Sequence, residues 1–591
     1  VASPPVGYYN VILAGATGNG TTDDSASIIA ADATATAAGE ALFFPPGTYL
    51  MGTSHSFTSS LIFVPGALLS VAASTTETFT AQNPINAGLF QIFSGVGKVK
   101  FVYSQVVYPE WWGAIASTTF DSAPAINAAI QALGNSGPGE GGVVQLQPAL
   151  YSIGSTIVLN TNYTALIGYG SLVTEIQCLS AIDACYVLYP GTVSSLAGGG
   201  GTNPSVSATN FLQWPQVRGI GFIQPTPTGT TSGGVGLTLC YTSEAKVEDV
   251  AALGFYVGVY LQRANDTLMN NIACNNTYAS GPNNSIGFYI DGSPQPNDTI
   301  PTGGNGSSRF LYCSHSNVSS SAYAAYGFYI RCSNVSLGGT VGDLHFLNPE
   351  TSFCNYGMYY DLRYVLTNVD GAANIIIDNP TFDSNVAVGL YIYGNIYTTG
   401  ASQSNGIKIT GGVFNIIGNG AASHIALLDC RGVTISGVQF FAPPVASTGI
   451  ITGITLVDCR DIVITGNNFM SLDHWIFFST STYAPAYCII ANNKFYGSAE
   501  VSGVEGGHTP NPGIDLTGIG HVLSGNTFDG KYGSGVTTGV LLDGSSSYCV
   551  ATSNIFNKST AAPAAGGSAV AIYTNTLINS GASNVLANNV S

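Results

Sequence analysis

The sequence is short of charge. Lys, Arg, Asp and Glu make up 8% of its 591 residues, against about 25% in an average soluble protein, so its surface must be covered by uncharged polar groups. Gly, Ser, Thr and Asn supply them. Positive charge is scarcest: 14 Lys plus Arg against 31 Asp plus Glu leave a net charge of -17. A polyphosphate backbone would be repelled rather than held, which argues against nucleic acid as a ligand, and an anionic membrane surface is disfavoured for the same reason. No run approaches the roughly 20 apolar residues needed to span a bilayer. The opening VASPPVGYYN has neither the basic nor the apolar part of a signal peptide, and the chain reads as soluble. Cysteine is present but unpatterned: eleven residues, an odd number, run from Cys178 to Cys549 with no C-x-x-C pair. That indicates small core hydrophobes rather than disulfides or metal ligands, and synthesis in a reducing cytoplasm. Neither a cofactor nor a metal is indicated.

Helical periodicity is nearly missing as well, and repetition stands in its place. LLDCRGVTISGVQF starts at Leu427 and LVDCRDIVITGNNF at Leu456, 29 positions on, with seven identical residues. A match at one fixed offset is a structural period. Followed outward, it places Phe at 353, 382, 414, 440, 469, 495, 528 and 556, and Val at 590. Many are introduced by short alternating words such as IIIDNPTF, IKITGGVF and IVITGNNF, strands that end at Gly or Asn where positive φ is wanted. A second word, Gly-aromatic-strand, recurs as GVYL at 258, GFYI at 287 and 327, GMYY at 357 and GLYI at 389. Units of this length, each with several short strands, stack as the coils of a parallel β-helix, with like residues about 4.8 Å apart. The repeated Asp-Cys-Arg is then a stacked turn whose charges pair along the stack. Helix is expected only at 23 to 39 and 121 to 137, which open on Asp and Ser in capping positions and stop at Gly.

Those two helical stretches carry a family resemblance. GATGNGTTDDSASIIAA followed by FFPPGTY resembles the N-terminal cap signature of the pectate-lyase-like right-handed β-helix superfamily. PEWWGA (109 to 114), FDSAPAINAAIQAL, GGVVQLQPALYSI and ALIGYG are similar to a second, diverged copy about 98 to 102 residues later. A degenerate first copy, a β-rich segment and YPEWWGA before the main repeats resemble bacteriophage tailspikes and capsule depolymerases. The resemblance implies a cap-like β-rich domain at 1–107 and a main β-helix at 108–591 that continues to the C-terminus. It also implies a homotrimer in the virion, joined to the phage tail through a segment upstream of Val1, that binds bacterial capsular polysaccharide or O-antigen and usually depolymerises it. The paired aspartates and His-Gly word of polygalacturonases have no match, so no active site is carried over. Asp23, Asp24 and Asp121 read as helix caps.

With charge so sparse, carboxylates in the middle coils stand out. Glu244, Glu248 and Asp249 lie in SEAKVEDVAALGF, and Asp291 follows GFYI. Asp343, His345 and Glu350 lie in GDLHFLNPETSF, Asp361 and Arg363 follow GMYY, and Asp378 and Asp383 lie in IIIDNPTFDSN. Aligning Asn348-Pro349 with Asn379-Pro380 puts Glu350 and Asp383 on consecutive coils near one turn. They are the leading catalytic pair, with Asp343 as alternative partner. An Asp at a β-helix turn more often caps backbone N–H groups than catalyses, but Glu is a poor turn cap. Asp361, Arg363, His345, Tyr359 and Tyr391 are the candidate substrate-binding residues, and Arg331 could orient an acidic sugar. Exposed tyrosines beside amide-rich turns suit the apolar faces and hydroxyl rims of sugars, or a contact between copies of the chain. Three readings stay open: an endo-glycoside hydrolase using two carboxylates, a lyase that eliminates beside a uronate, against which the scarcity of basic residues leans, and a binding module without turnover.

Overall fold

A computed structural model describes residues 7–82, 84–134, 141–188, 211–225, 234–275, 285–292, 306–316, 324–331, 341–362, 374–394, 406–416, 422–442, 450–470, 472–496, 513–529, 540–542, 546–556, 584–587 and 589. The chain forms two units, one of residues 1–255 with 298–300, the other of 256–297 with 301–591. Every strand pairing given by register is parallel and joins one coil to another, so each unit is a parallel β-helix. Among the described residues no helix is long and apolar enough to cross a membrane.

In the first unit, strands between Tyr8 and Phe101 form three short sheets that pair only among themselves, and a further sheet begins at Gln105–Val107. Phe57, Phe79 and Phe101 stack in the core of one of them at 5.2 and 5.1 Å. The two expected helices are Ser25–Ala38 and Ala123–Ala132, each preceded by a single 3-10 turn, Val11–Ala14 and Pro109–Trp112. The duplication is visible in hydrogen bonds. Asp23 accepts from the N–H of Ser25 and of Gly52 (3.0 and 3.1 Å), and Asp121 accepts from Ala123 and Gly154 (3.0 and 2.8 Å). These two carboxylates thus clip the start of a helix to the next strand turn. Asp24 precedes its helix but makes no side-chain cap; it turns back to the N–H groups of Thr17 and Gly18.

In the second unit the repeat becomes a ladder. Phe382, Phe414, Phe440, Phe469, Phe495, Phe528 and Phe556 lie in register, and Phe440, Phe469, Phe495 and Phe528 stack at 4.6, 4.8 and 4.9 Å. Phe353 is not on this ladder. The residue opposite Phe382 is Thr351, preceded by His315 and Cys274, and Phe353 occupies a left-handed corner at φ 56°. The second word is a glycine column. A Cβ on Gly327 would lie 2.5 Å from the carbonyl oxygen of Gly357, and one on Gly357 equally close to that of Gly389, so only hydrogen fits between coils there.

Between the two short strands on one side of each coil the chain turns through a single left-handed residue. The column runs Asn271, Tyr312, Asn348, Asn379, Gly411, Gly437, Gly466, Asn492, Gly525 and Ser553. Next to it, pointing inward, Asn467, Asn493, Asn526, Asn554 and Asn589 form an amide ladder, each Nδ2 donating to the next Oδ1 at 2.9–3.1 Å. The duplicated Asp-Cys-Arg is stacked: Arg431 bridges Arg460, and Cys430 and Cys459 are buried. Arg431 pairs along the stack with Asp461 at 2.7 Å, whereas Asp458 caps the N–H groups of Ser481 and Thr482. The ten described cysteines are all buried, and none of them is in a disulfide with another described cysteine.

Candidate functional site

The candidate residues fall on two outer faces of the second unit. Glu350 opens the strand Glu350–Ser352 and is exposed. Asp383 lies in Thr381–Asn385 on the following coil. Their registers are Glu350 with Thr381 and Ser352 with Asp383, so the two carboxylates share the outward face of adjacent coils, offset by two residues along the strand. A coil spacing near 4.8 Å and two residues of strand rise put their Cβ atoms roughly 8 Å apart. Asn415 on the next coil donates to Asp383 Oδ1 at 2.7 Å, and Ser384 Oγ does so at 3.2 Å, which fixes that carboxylate, while Glu350 is exposed.

On the other side of the Asn348 turn, His345 projects outward from Leu344–Leu347 and meets Asp378 at 2.9 Å, Nε2 to Oδ2. Thr410 Oγ1 donates to the second oxygen of Asp378. Both side chains are about one-third exposed, so this is an accessible pair rather than a core contact. Arg309 stands opposite His345 on the preceding coil, exposed. Asp343 is exposed two positions upstream at φ 52°. Asp266 (51°), Ser307 (52°), Gly406 (59°), Gly432 (70°), Asp461 (54°), Tyr487 (57°), Gly520 (71°) and Tyr548 (54°) turn corresponding corners, most of them with a short residue, so a turn role accounts for Asp343.

Asp361, Tyr359 and Tyr391 lie elsewhere. At Phe353 and Ser384, both left-handed, the chain turns onto a second sheet. There Tyr289, Tyr329, Tyr359 and Tyr391 line up on successive coils with ring centroids 5.3, 5.6 and 4.7 Å apart. Beside them Asp291, Arg331 and Asp361 lie in register. Arg331 donates to the Tyr289 hydroxyl at 2.9 and 2.7 Å and to that of Tyr329 at 3.0 Å, with its guanidinium over both rings. Burial, together with the nearby Asp291 carboxylate, holds the Tyr289 hydroxyl far above the usual phenol range. Arg331 is therefore tied into a tyrosine wall, with Asp361 buried beside it. Arg363 lies outside the described residues.

Sequence reasoning named Asp378 but not its pairing with His345, although Asn348 over Asn379 already aligned Leu347 with Asp378. It missed Arg309 and Tyr312, because RFLYCSHS lacks the Asn-Pro that marks the next two coils. Among the described residues no group of three or more His, Cys, Asp or Glu side chains is placed to hold a metal ion.

No protein-family model matches the sequence, and no curated protein does. Solved structures align with the fold. A mutant tailspike protein of E. coli bacteriophage HK620 in complex with a pentasaccharide is 12% identical, with TM-score 0.49, over 80% of this chain and 75% of that one. The Streptococcus pneumoniae surface adhesin PfbA is 13% identical, TM-score 0.48, over 67% and 91%. Tailspike protein 3 of bacteriophage CBA120 is 15% identical, TM-score 0.43, over 75% and 61%. At such values the likeness says nothing about the chemistry of the outer faces.

Proposed function

We propose that this chain is a phage tailspike protein that binds a bacterial surface polysaccharide, capsule or O-antigen, and cleaves it as an endo-glycoside hydrolase with Glu350 and Asp383 as the working pair. The observation that carries the reading is the two-residue offset between them on adjacent coils. A Cβ offset of about 8 Å lets the two carboxyl groups stand within the roughly 6.5–9.5 Å that leaves room for a water between them, which is the inverting geometry. Asp383, held by Asn415 and Ser384, acts as the base on that water. Glu350, exposed, protonates the leaving oxygen. The cap words and the β-helix support the wider reading, including a trimer carried on the virion and a cap-like domain at 1–107.

A second reading has its own observation. Arg309 and His345 stand side by side on adjacent coils, with Asp378 orienting the imidazole. A uronate carboxylate on Arg309 would place its C5 proton before His345, the arrangement a β-eliminating lyase uses. Incubation with purified capsules and O-antigens separates the readings. New reducing ends without the ultraviolet absorbance of an unsaturated uronate support hydrolysis, and that absorbance supports elimination. Polymer bound but left at full length would reduce the site to recognition.

A further inference from the structure

The turn between the paired outer strands is a ten-residue experiment within one chain. Nine of the ten left-handed positions carry Asn, Gly or Ser, and the tenth is Tyr312 at φ 53°. A bulky side chain in this region crowds its Cβ against the following carbonyl, which is why Gly and Asn dominate there. The turn therefore gains nothing from tyrosine. The core gains nothing either, since Tyr312 is 56% exposed, and its ring stacks on no other ring among the described residues. Other exposed aromatics, Tyr487 and Tyr548 among them, also take left-handed corners, so it is this conformation together with the position beside the candidate carboxylates that points to a use at the surface.

Its place indicates the use. Tyr312 lies one coil before Asn348, the turn that separates His345 from Glu350, and two residues before Ser314, which is in register with Glu350. Arg309 and Ser314 neighbour it along the chain and Asn348 follows it one coil on, all able to meet hydroxyl or carboxylate groups. An apolar ring face rimmed by polar groups matches a pyranose, whose C–H face lies on the aromatic ring while its hydroxyls reach the rim. We propose that Tyr312 is the stacking platform of a saccharide subsite one coil removed from Glu350, which takes a pyranose unit of the polymer next to the bond being cut. The assignment rests on the polysaccharide reading above and adds a residue and a subsite to it.

The turn itself provides the control. Tyr312→Asn installs the residue that Asn271, Asn348, Asn379 and Asn492 show the corner prefers, so this variant should melt no lower than the parent. Wild type, Tyr312→Asn and Tyr312→Phe are compared on the capsule or O-antigen that wild type degrades or binds, reading KM and kcat, and binding of its oligosaccharides in a Glu350→Gln background. The expected result is a rise in KM and Kd of about tenfold or more for Asn, equivalent to ~1.4 kcal/mol, with Phe close to wild type. Unchanged KM and Kd in Tyr312→Asn, or an equal loss in Tyr312→Phe, overturns the subsite and leaves the parent reading standing. Failure of wild type to bind or cut any polysaccharide in the panel overturns both.

Discussion

Asn493 donates its side-chain amide to the side-chain oxygen of Asn526 one coil on, at 3.1 Å, and the same oxygen accepts the backbone N–H of Asn493 at 2.9 Å. Its second amide hydrogen goes back to the carbonyl of Ile464, 2.9 Å away. Every polar atom of a fully buried side chain is thereby satisfied, and the pattern repeats on either side. Asn493→Leu removes the acceptor for the backbone and side chain of Asn467, leaving a buried N–H without a partner at about 1–3 kcal/mol. We expect a loss of about 2–4 kcal/mol in chemical denaturation. Amide exchange should accelerate around 467 and 493 rather than uniformly, since coils depend on their neighbours. The adjacent Asn492→Gly, at the left-handed turn (φ 56°), should be near neutral.

Three buried histidines, His315, His424 and His521, make the second unit sensitive to acid. His315 is buried with neither ring nitrogen hydrogen-bonded. His521 is buried as the neutral tautomer, its Nδ1 accepting from the Cys488 N–H and its Nε2 donating to Thr517. Burial pushes all three down to about 4 from an ordinary value of 6.5. The unfolded chain then binds more protons between those limits, so stability is complete above about pH 6.5 and falls as pH drops toward 4, by roughly 3 kcal/mol per histidine. Melting temperature measured against pH should show this slope. His315→Thr, the residue found one coil on at Thr351, should reduce the slope by about one histidine's share without harming the fold at neutral pH.

Glu77 works in the opposite direction in the first unit. It is fully buried, neither carboxylate oxygen has a well-formed hydrogen bond among the described residues, and burial raises it to about 8. Folded protein holds this proton more tightly than unfolded protein, so its contribution is present below about pH 4.5 and is lost as pH rises toward 8. Glu77→Gln should raise the melting temperature of this unit above pH 8 by several degrees and leave it nearly unchanged near pH 4. An equal effect at both values would show that packing, not ionisation, is what the substitution alters.

The coil stacking could be read from the sequence because inward positions repeat by residue type. Phe follows Phe from 382 to 556, and the cap words return with their aspartates. Upstream of Phe382 the same inward column carries Thr351, His315 and Cys274, which share no type, and the reading slipped by two residues to Phe353. Outward positions have no such constraint. Tyr359, Tyr391 and Asp361 could not be separated from Glu350 and Asp383 in sequence, because the corner between their sheets is turned by Phe353 and Ser384, neither of which announces a turn. The Asn493 ladder was visible only as Asn-rich turns, since Asn492 and Asn493 look alike until one is seen outside and the other inside.

The two chemistries proposed for the outer face predict opposite responses from two pairs of residues. In hydrolysis, Glu350→Gln removes the proton donor and Asp383→Asn the base, so each should lower kcat by roughly 10²- to 10⁴-fold with folding intact. His345→Ala should then change kcat less than tenfold, its imidazole lying on the other side of the Asn348 turn from Glu350. In elimination the order reverses: His345→Ala abolishes turnover, Asp378→Asn weakens it by misorienting the ring, and Glu350→Gln is tolerated. Proton NMR of the newly formed reducing end adds an independent check on geometry. With the Cβ atoms of Glu350 and Asp383 offset by roughly 8 Å, the expected outcome at the anomeric carbon is inversion. Retained configuration would demand carboxyl groups roughly 5 Å apart, and would mean that the nucleophile is a residue other than Asp383.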